Sequence, residues 1–145
     1  MLYSDELKIY FTDQEHLAFY ESTLSTVNPD VYRKALVYTL GICPDTRNNF
    51  NSLYDIHDRS IIPQSITAAW QTSSSLRVTR LAFNLFTDGV PTVYLDFDDS
   101  EKDKCISECS LYSVSDIFCD SYAFYFFEAI KIRYPEYFRN VSWAK

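Results

Sequence analysis

The chain has 145 residues, among them 12 Tyr, 11 Phe and two Trp, and a formal net charge of −7. That length is enough for one ordinary domain with a buried core, and the aromatic side chains supply large packing area. The negative balance argues against sequence-independent nucleic-acid binding, which needs a Lys/Arg surface to displace counterions.

The first residues, Met1 to Glu6, lack the basic start and apolar core of a secretory leader. LKIYF (7–11) reads as a short strand. Thr12-Asp13-Gln14-Glu15 then reads as a capping box, with Thr12 as the cap. Leu17, Tyr20, Leu24 and Val27 follow at helical spacing, which predicts a first helix over 13–26. Asn28-Pro29-Asp30 is a second start signal. It predicts a helix over 29–40 that Gly41 stops through its freedom to take positive φ.

Pro44 opens a third, shorter helix anchored by Phe50, Leu53 and Tyr54. YDIHDRSII (54–62) reads as a polar connector, and Pro63 begins another short helix that carries Ala69 and Trp70 inward. Thr72, Ser73, Ser74 and Ser75 are poor mid-helix residues but good caps. They predict a helix whose inward stripe is Val78, Leu81, Ala82, Leu85 and Phe86, ended by Asp88-Gly89. Arg77, Arg80 and Asn84 form a polar row on its other side.

VYLDF (93–97) is a candidate strand and DFDDSEKDK (96–104) a charged loop. Ser113 caps the last helical region, where Phe126, Ala129, Ile130 and Arg133 share one spacing and Pro135 breaks the helix. The scarcity of glycine, two residues in all, argues for helices joined by polar loops rather than hairpins on Gly turns. The fold expected is mainly α. It is a single compact bundle of five or six helices over 1–145, with a charged loop at 96–104 and room for one small two-stranded element pairing 7–11 with 93–97.

Three strings, WQTSSSLRVTRLAFNLF (70–86), YTLGICPDTRNNFNSLYDI (38–56) and SVSDIFCDSYAFYFFEAIKIRYPEYF (113–138), resemble a small family of bacterial, phage and mobile-element proteins catalogued only as a domain of unknown function. The resemblance spans roughly residues 15–138, with the acidic loop at 96–104 and the ends outside it, and implies a compact helical domain in a bacterial cytoplasm. It supplies no activity, cofactor or catalytic residue. A reducing cytoplasm would keep Cys43, Cys105, Cys109 and Cys119 as thiols, and no apolar run approaches the roughly 18 residues of a membrane span.

Several groups are candidates for chemistry. Cys105, Cys109 and Cys119 are three ligands of the kind Zn²⁺ takes. However, a zinc knuckle is usually C-x2-C, and a fourth ligand, His57 or His16, would have to come from a distant segment. Three partly buried thiols are the simpler reading. His57, flanked by Asp55, Asp58 and Arg59, has neighbours that could orient an imidazole, yet no nucleophile stands at a recognisable elbow. Arg77, Arg80 and Asn84 suit an anion, or equally an ion-pair network with Asp55, Asp58 or Asp116. YAFYFF (122–127) is wider than one helical stripe, so it is either central to the fold or covered by a partner. With Gly41 and Gly89 as the only glycines there is no phosphate-binding loop.

The expected function is a non-enzymatic, acidic protein-binding module. In the mobile-element setting it would be an inhibitor of a host defence nuclease, anti-CRISPR-like, occupying a basic nucleic-acid-binding surface through Asp96, Asp98, Asp99, Glu101 and Asp103. The alternatives are a small enzyme or anionic-ligand binder using His57, Arg77, Arg80 and Asn84, and a structural homodimer. No cofactor, metal, membrane or direct nucleic-acid contact is expected.

Overall fold

The structure, a computed structural model, describes residues 1–92 and 99–138. Among them are eight α-helices, five of which have ten or more residues, and two small antiparallel sheets. The protein is mainly α with a minor β component.

The chain opens with a hairpin. β1 (Leu2–Ser4) pairs with β2 (Ile9–Phe11) in the register Leu2↔Phe11, Tyr3↔Tyr10 and Ser4↔Ile9. The expected strand at 7–11 therefore exists but starts at Ile9, and its partner is the segment just before it. The partner anticipated at 93–97 lies outside the described residues. The turn closes without glycine: Lys8 sits at φ 60, and its N–H reaches Ser4 O at 2.8 Å. Ile9 and Phe11 alternate inward while Tyr10 faces out. The outward backbone of β2 is closed by side chains, since Tyr10 N–H donates to Glu128 Oε2 at 2.9 Å and Tyr10 O accepts from Tyr38 Oη at 2.5 Å.

α1 (Gln14–Leu24) is capped one residue later than its sequence suggests. Asp13 accepts from His16 N–H at 2.9 Å. Glu15 does not reach back; it pairs with Arg47 at 3.1 Å. Thr12 Oγ1 is left buried without a hydrogen-bond partner. The Thr12 N–H instead donates to His16 Nδ1 at 3.1 Å, which leaves Nε2 as the donor to Tyr38 O at 2.8 Å. Fully buried and neutral, His16 has its pKa lowered to about 4, chiefly by desolvation.

α2 (Val31–Leu40) is the hub. Asp30 caps it, every residue from Ala35 to Leu40 is fully buried, and it packs against α1, α5 and α8. A helix apolar on all sides belongs at the centre, and this one holds the place that the aromatic run at 122–127 had suggested for itself. Gly41 follows at φ −80, so positive φ is not its role. A Cβ there would stand 2.7 Å from Phe19 Cδ1 and 2.8 Å from His16 Cδ2. Gly41 is the gap into which α1 seats.

α3 (Pro44–Asn48) and α4 (Phe50–Leu53) are single turns. The connector over 54–62 is a second hairpin, β3 (Tyr54–Asp55) with β4 (Ser60–Ile61), again turned on a non-glycine residue, Arg59 at φ 56. A 3₁₀ turn over Pro63–Thr67 leads to α5 (Ser73–Thr87). The hydroxyl run does supply the cap, and the helix begins at Ser73, before Leu76: Thr72 Oγ1 accepts from Ser75 N–H and Ser75 Oγ accepts from Thr72 N–H. Asp88, not Gly89, takes the left-handed conformation that ends the helix.

The anticipated charged loop at 96–104 is helical from Asp99 onward, as part of α6 (Asp99–Ser110). Glu and Lys are good helix formers, and the far end of α6 is anchored by a buried carboxylate described below. α7 (Val114–Ile117) starts at the expected Ser113 cap, and α8 (Ala123–Arg133) ends before the 3₁₀ turn Pro135–Tyr137. No helix among the described residues is long and apolar enough to cross a membrane.

Candidate functional site

The Arg/Asn row of α5 resolves into three separate ties. Arg80 is 8% exposed and meets Glu108, 6% exposed, in a two-pronged pair: Nε to Oε1 at 2.8 Å and Nη2 to Oε2 at 3.0 Å. This clamps α6 onto α5. Arg77 donates to Asp116 O at 3.2 Å and pairs with Asp120 at 3.1 Å. Burial disfavours the Asp120 charge, but hydrogen bonds from Ser74, the Tyr122 N–H and Arg77 outweigh it and hold the carboxyl below the usual range. Asn84 donates to Gly89 O at 2.7 Å and closes the end of its own helix. Of the carboxylates anticipated as partners, only the residue Asp116 is used, and through its backbone. Asp120 and Glu108 lie 43 and 28 residues beyond their arginines, and nothing local in the sequence marks them.

The same pattern covers most of the described arginines. Arg33 pairs with Asp30, Arg47 with Glu15 and Arg133 with Asp88. Arg133 also donates to Leu85 O and lies 3.7 Å from the centre of the Tyr32 ring. Five of the six described arginines are thus engaged by carboxylates, while Glu21, Asp45, Asp58, Asp103 and Glu136 stand exposed.

His57 is exposed in the β3–β4 turn, and the described interactions do not connect it with Arg77, Arg80 or Asn84. Among the described residues no group of three or more His, Cys, Asp or Glu is placed to hold a metal ion. Cys105 and Cys109 are one turn apart on α6, and burial together with Cys105 pushes the Cys109 thiol up. A protonated thiol is a weak ligand and nucleophile. Cys119 is exposed beyond α7, with its Sγ 3.5 Å from Asp116 O.

Of the proposed acidic contact residues, Asp96 and Asp98 lie outside the described residues. Asp99 opens α6, Glu101 is half-buried and Asp103 exposed, with exposed Lys102 and Lys104 between and beside them.

The aromatic run divides by face. Phe126 is fully buried, and Tyr122 and Tyr125 pack partly against the core. Phe124 and Phe127 are 44% and 59% exposed. Together with Tyr10, Lys131, Glu128 and Phe138 they line a groove of about 350 Å³. Phe124 meets the Tyr10 ring edge-on at 5.4 Å, and Tyr10 in turn meets Tyr3 at 4.7 Å, so a continuous aromatic shelf runs from the first hairpin onto α8. Helical spacing alone identifies Phe126 as interior. The shelf also needs the β1–β2 hairpin, which sequence reasoning had not paired.

No curated protein and no solved structure matches this chain. A family model does match, over residues 6–145, a span that takes in the acidic segment at 96–104 and the last residues. The chain therefore belongs to the family described as "Family of unknown function (DUF6075)".

Proposed function

We propose that the protein is a non-enzymatic binding module that docks on a basic protein partner. The observation that carries this reading is the exposed shelf of Phe124 and Phe127 beside its groove. Exposed contiguous aromatics mark interaction surfaces, and aromatic anchors dominate binding energies. Charge supports the choice of partner. The net charge is −7, and most described arginines are neutralised within the fold, so the exterior offers uncompensated carboxylate that would attract a basic surface. In its sharper form, the partner is a host defence nuclease whose basic nucleic-acid-binding surface is occupied by Asp96, Asp98, Asp99, Glu101 and Asp103, as an anti-CRISPR-like inhibitor would do.

The test is capture from bacterial lysate with the wild-type chain, a Phe124→Ser/Phe127→Ser variant and a variant with the five acids as amides. Recovery of one stoichiometric basic protein by the wild type alone supports the reading, and loss of that protein's nucleic-acid binding in the complex supports the sharper form. Equal recovery by all three counts against it. Light scattering separates the homodimer alternative: a doubled mass that both serines abolish would transfer the shelf to a second copy of the chain.

A further inference from the structure

We propose that a second cavity, between β2, α1, α2 and α8, binds a small apolar monocarboxylate. It measures about 220 Å³ and is lined by Ile9, Phe11, Tyr20, Lys34, Lys131 and Ile132, among others. Its floor is apolar, with Ile9 and Phe11 buried and Ile132 packed against the core.

Two polar groups give this cavity a chemistry. Tyr20 is 6% exposed, and its phenol makes ring contacts with Phe11 and Tyr38. Among the described residues its hydroxyl makes no hydrogen bond. Among the described residues, the enclosed side-chain oxygen left unpaired is Thr12 Oγ1. Tyr20 Oη is therefore not fully enclosed, and Tyr20 is one of the residues that line this cavity. Burial raises the phenol to about 12, so it keeps its proton and offers a donor. The hydroxyl has no hydrogen-bond partner among the described residues, which leaves its O–H free to donate to a ligand in the cavity.

The second group is Lys34, exposed at the cavity wall and absent from the ion pairs of the described residues. Lys131 also lines the wall, but Glu128 Oε1 holds its ammonium at 2.6 Å, so that pair adds little net charge. Of the two lysines that line the cavity, Lys34 is the one without a carboxylate in the ion pairs of the described residues. One phenol donor, one uncompensated ammonium and an apolar floor match a monoanion with a hydrocarbon tail. A phosphate or dicarboxylate would call for an arginine fork or a second free cation. The carboxylate takes the Tyr20 O–H and pairs with Lys34, while the tail displaces water from Ile9, Phe11 and Ile132. The volume equals roughly seven waters at about 30 Å³ each, which suits a chain the length of hexanoate.

The experiment is titration of the full chain at pH 7 with hexanoate, followed by calorimetry and backbone amide shifts, with hexanol and acetate as controls. Hexanoate should saturate with a Kd of about 0.1–10 mM and shift the amides around Phe11, Tyr20 and Lys34. Hexanol lacks the charge and acetate the tail, and both should bind at least about tenfold more weakly. Tyr20→Phe removes a hydroxyl that no protein group uses, and Lys34→Gln changes an exposed side chain, so both variants should keep the wild-type melting temperature. Tyr20→Phe should weaken hexanoate about tenfold, and Lys34→Gln about threefold with loss of the salt dependence. No saturation, equal binding of hexanol, unchanged affinity in both variants, or shifts confined to the Phe124/Phe127 groove would each overturn the assignment.

Discussion

Removing Glu108 should reveal what Arg80 does. The pair is buried on both sides and doubly hydrogen-bonded. Deleting one partner strands a charge in a low-dielectric site, at a cost of about 3–5 kcal/mol. Glu108→Ala leaves Arg80 in that state. For a chain of this size, each kcal/mol shifts the melting temperature by about 3 °C, so the variant should melt about 10–15 °C below wild type. Replacing both residues with apolar side chains of similar volume, as in Arg80→Met/Glu108→Leu, should recover most of the loss, because well-packed apolar residues often match a buried ion pair. Urea denaturation followed by tryptophan fluorescence and circular dichroism gives the unfolding free energies of the wild type and the two variants. A Glu108→Ala variant within about 1 kcal/mol of wild type would refute the scaffold role, since Arg80 would then be balanced by something else. In that case the anionic-ligand reading of Arg77, Arg80 and Asn84 would regain weight.

Two further outcomes follow from the interior. Gly41→Ala should destabilise the fold by about 1–3 kcal/mol through overpacking, although its φ of −80 suits alanine; a neutral or stabilising result in urea would show that α1 shifts without cost. His16 should make stability fall with acid earlier than the carboxylates do. Its folded pKa of about 4 lies below the ordinary 6.5, so the unfolded chain binds the proton first. The contribution is complete above pH 6.5 and is lost as pH falls from 6.5 toward 4, amounting to about 3 kcal/mol. Asp120, held below the usual carboxyl range, acts in a lower window: its contribution is present above the ordinary carboxyl pKa and is lost only as pH drops beneath it. A stability curve flat between pH 7 and 4.5, or unchanged in His16→Gln, would contradict the His16 account.

Local chemistry was legible in the sequence, and distant partners were not. The caps depend on residues three positions apart: the Thr72–Ser75 run holds the pair that caps α5, and Ser113 caps α7 as read. The interior stripe of α5 follows from spacing alone. The Asp13 cap missed by one position because Thr12 and Asp13 are both competent, and the choice falls to His16, whose ring takes the Thr12 N–H. The hairpins were hidden for a definite reason. Their left-handed positions are filled by Lys8 and Arg59, at a cost of order 1–2 kcal/mol each, so counting glycines finds neither. Glu108 sits in a strongly charged segment, DFDDSEKDKCISE, where it looks like one more solvated acid. Its role appears only when α6 is laid on α5. The scaffold character of Arg77 and Arg80 was thus readable as one of two options, while the identity of the carboxylates that hold them was not.

The seat of α1 at Gly41 has a consequence for how this sequence can drift. Positions 16, 19 and 41 share one small volume, so a larger residue at 41 becomes tolerable only when the imidazole or the phenyl opposite it has first become smaller. Relatives should therefore show these three sites changing together, with glycine held wherever histidine and phenylalanine persist.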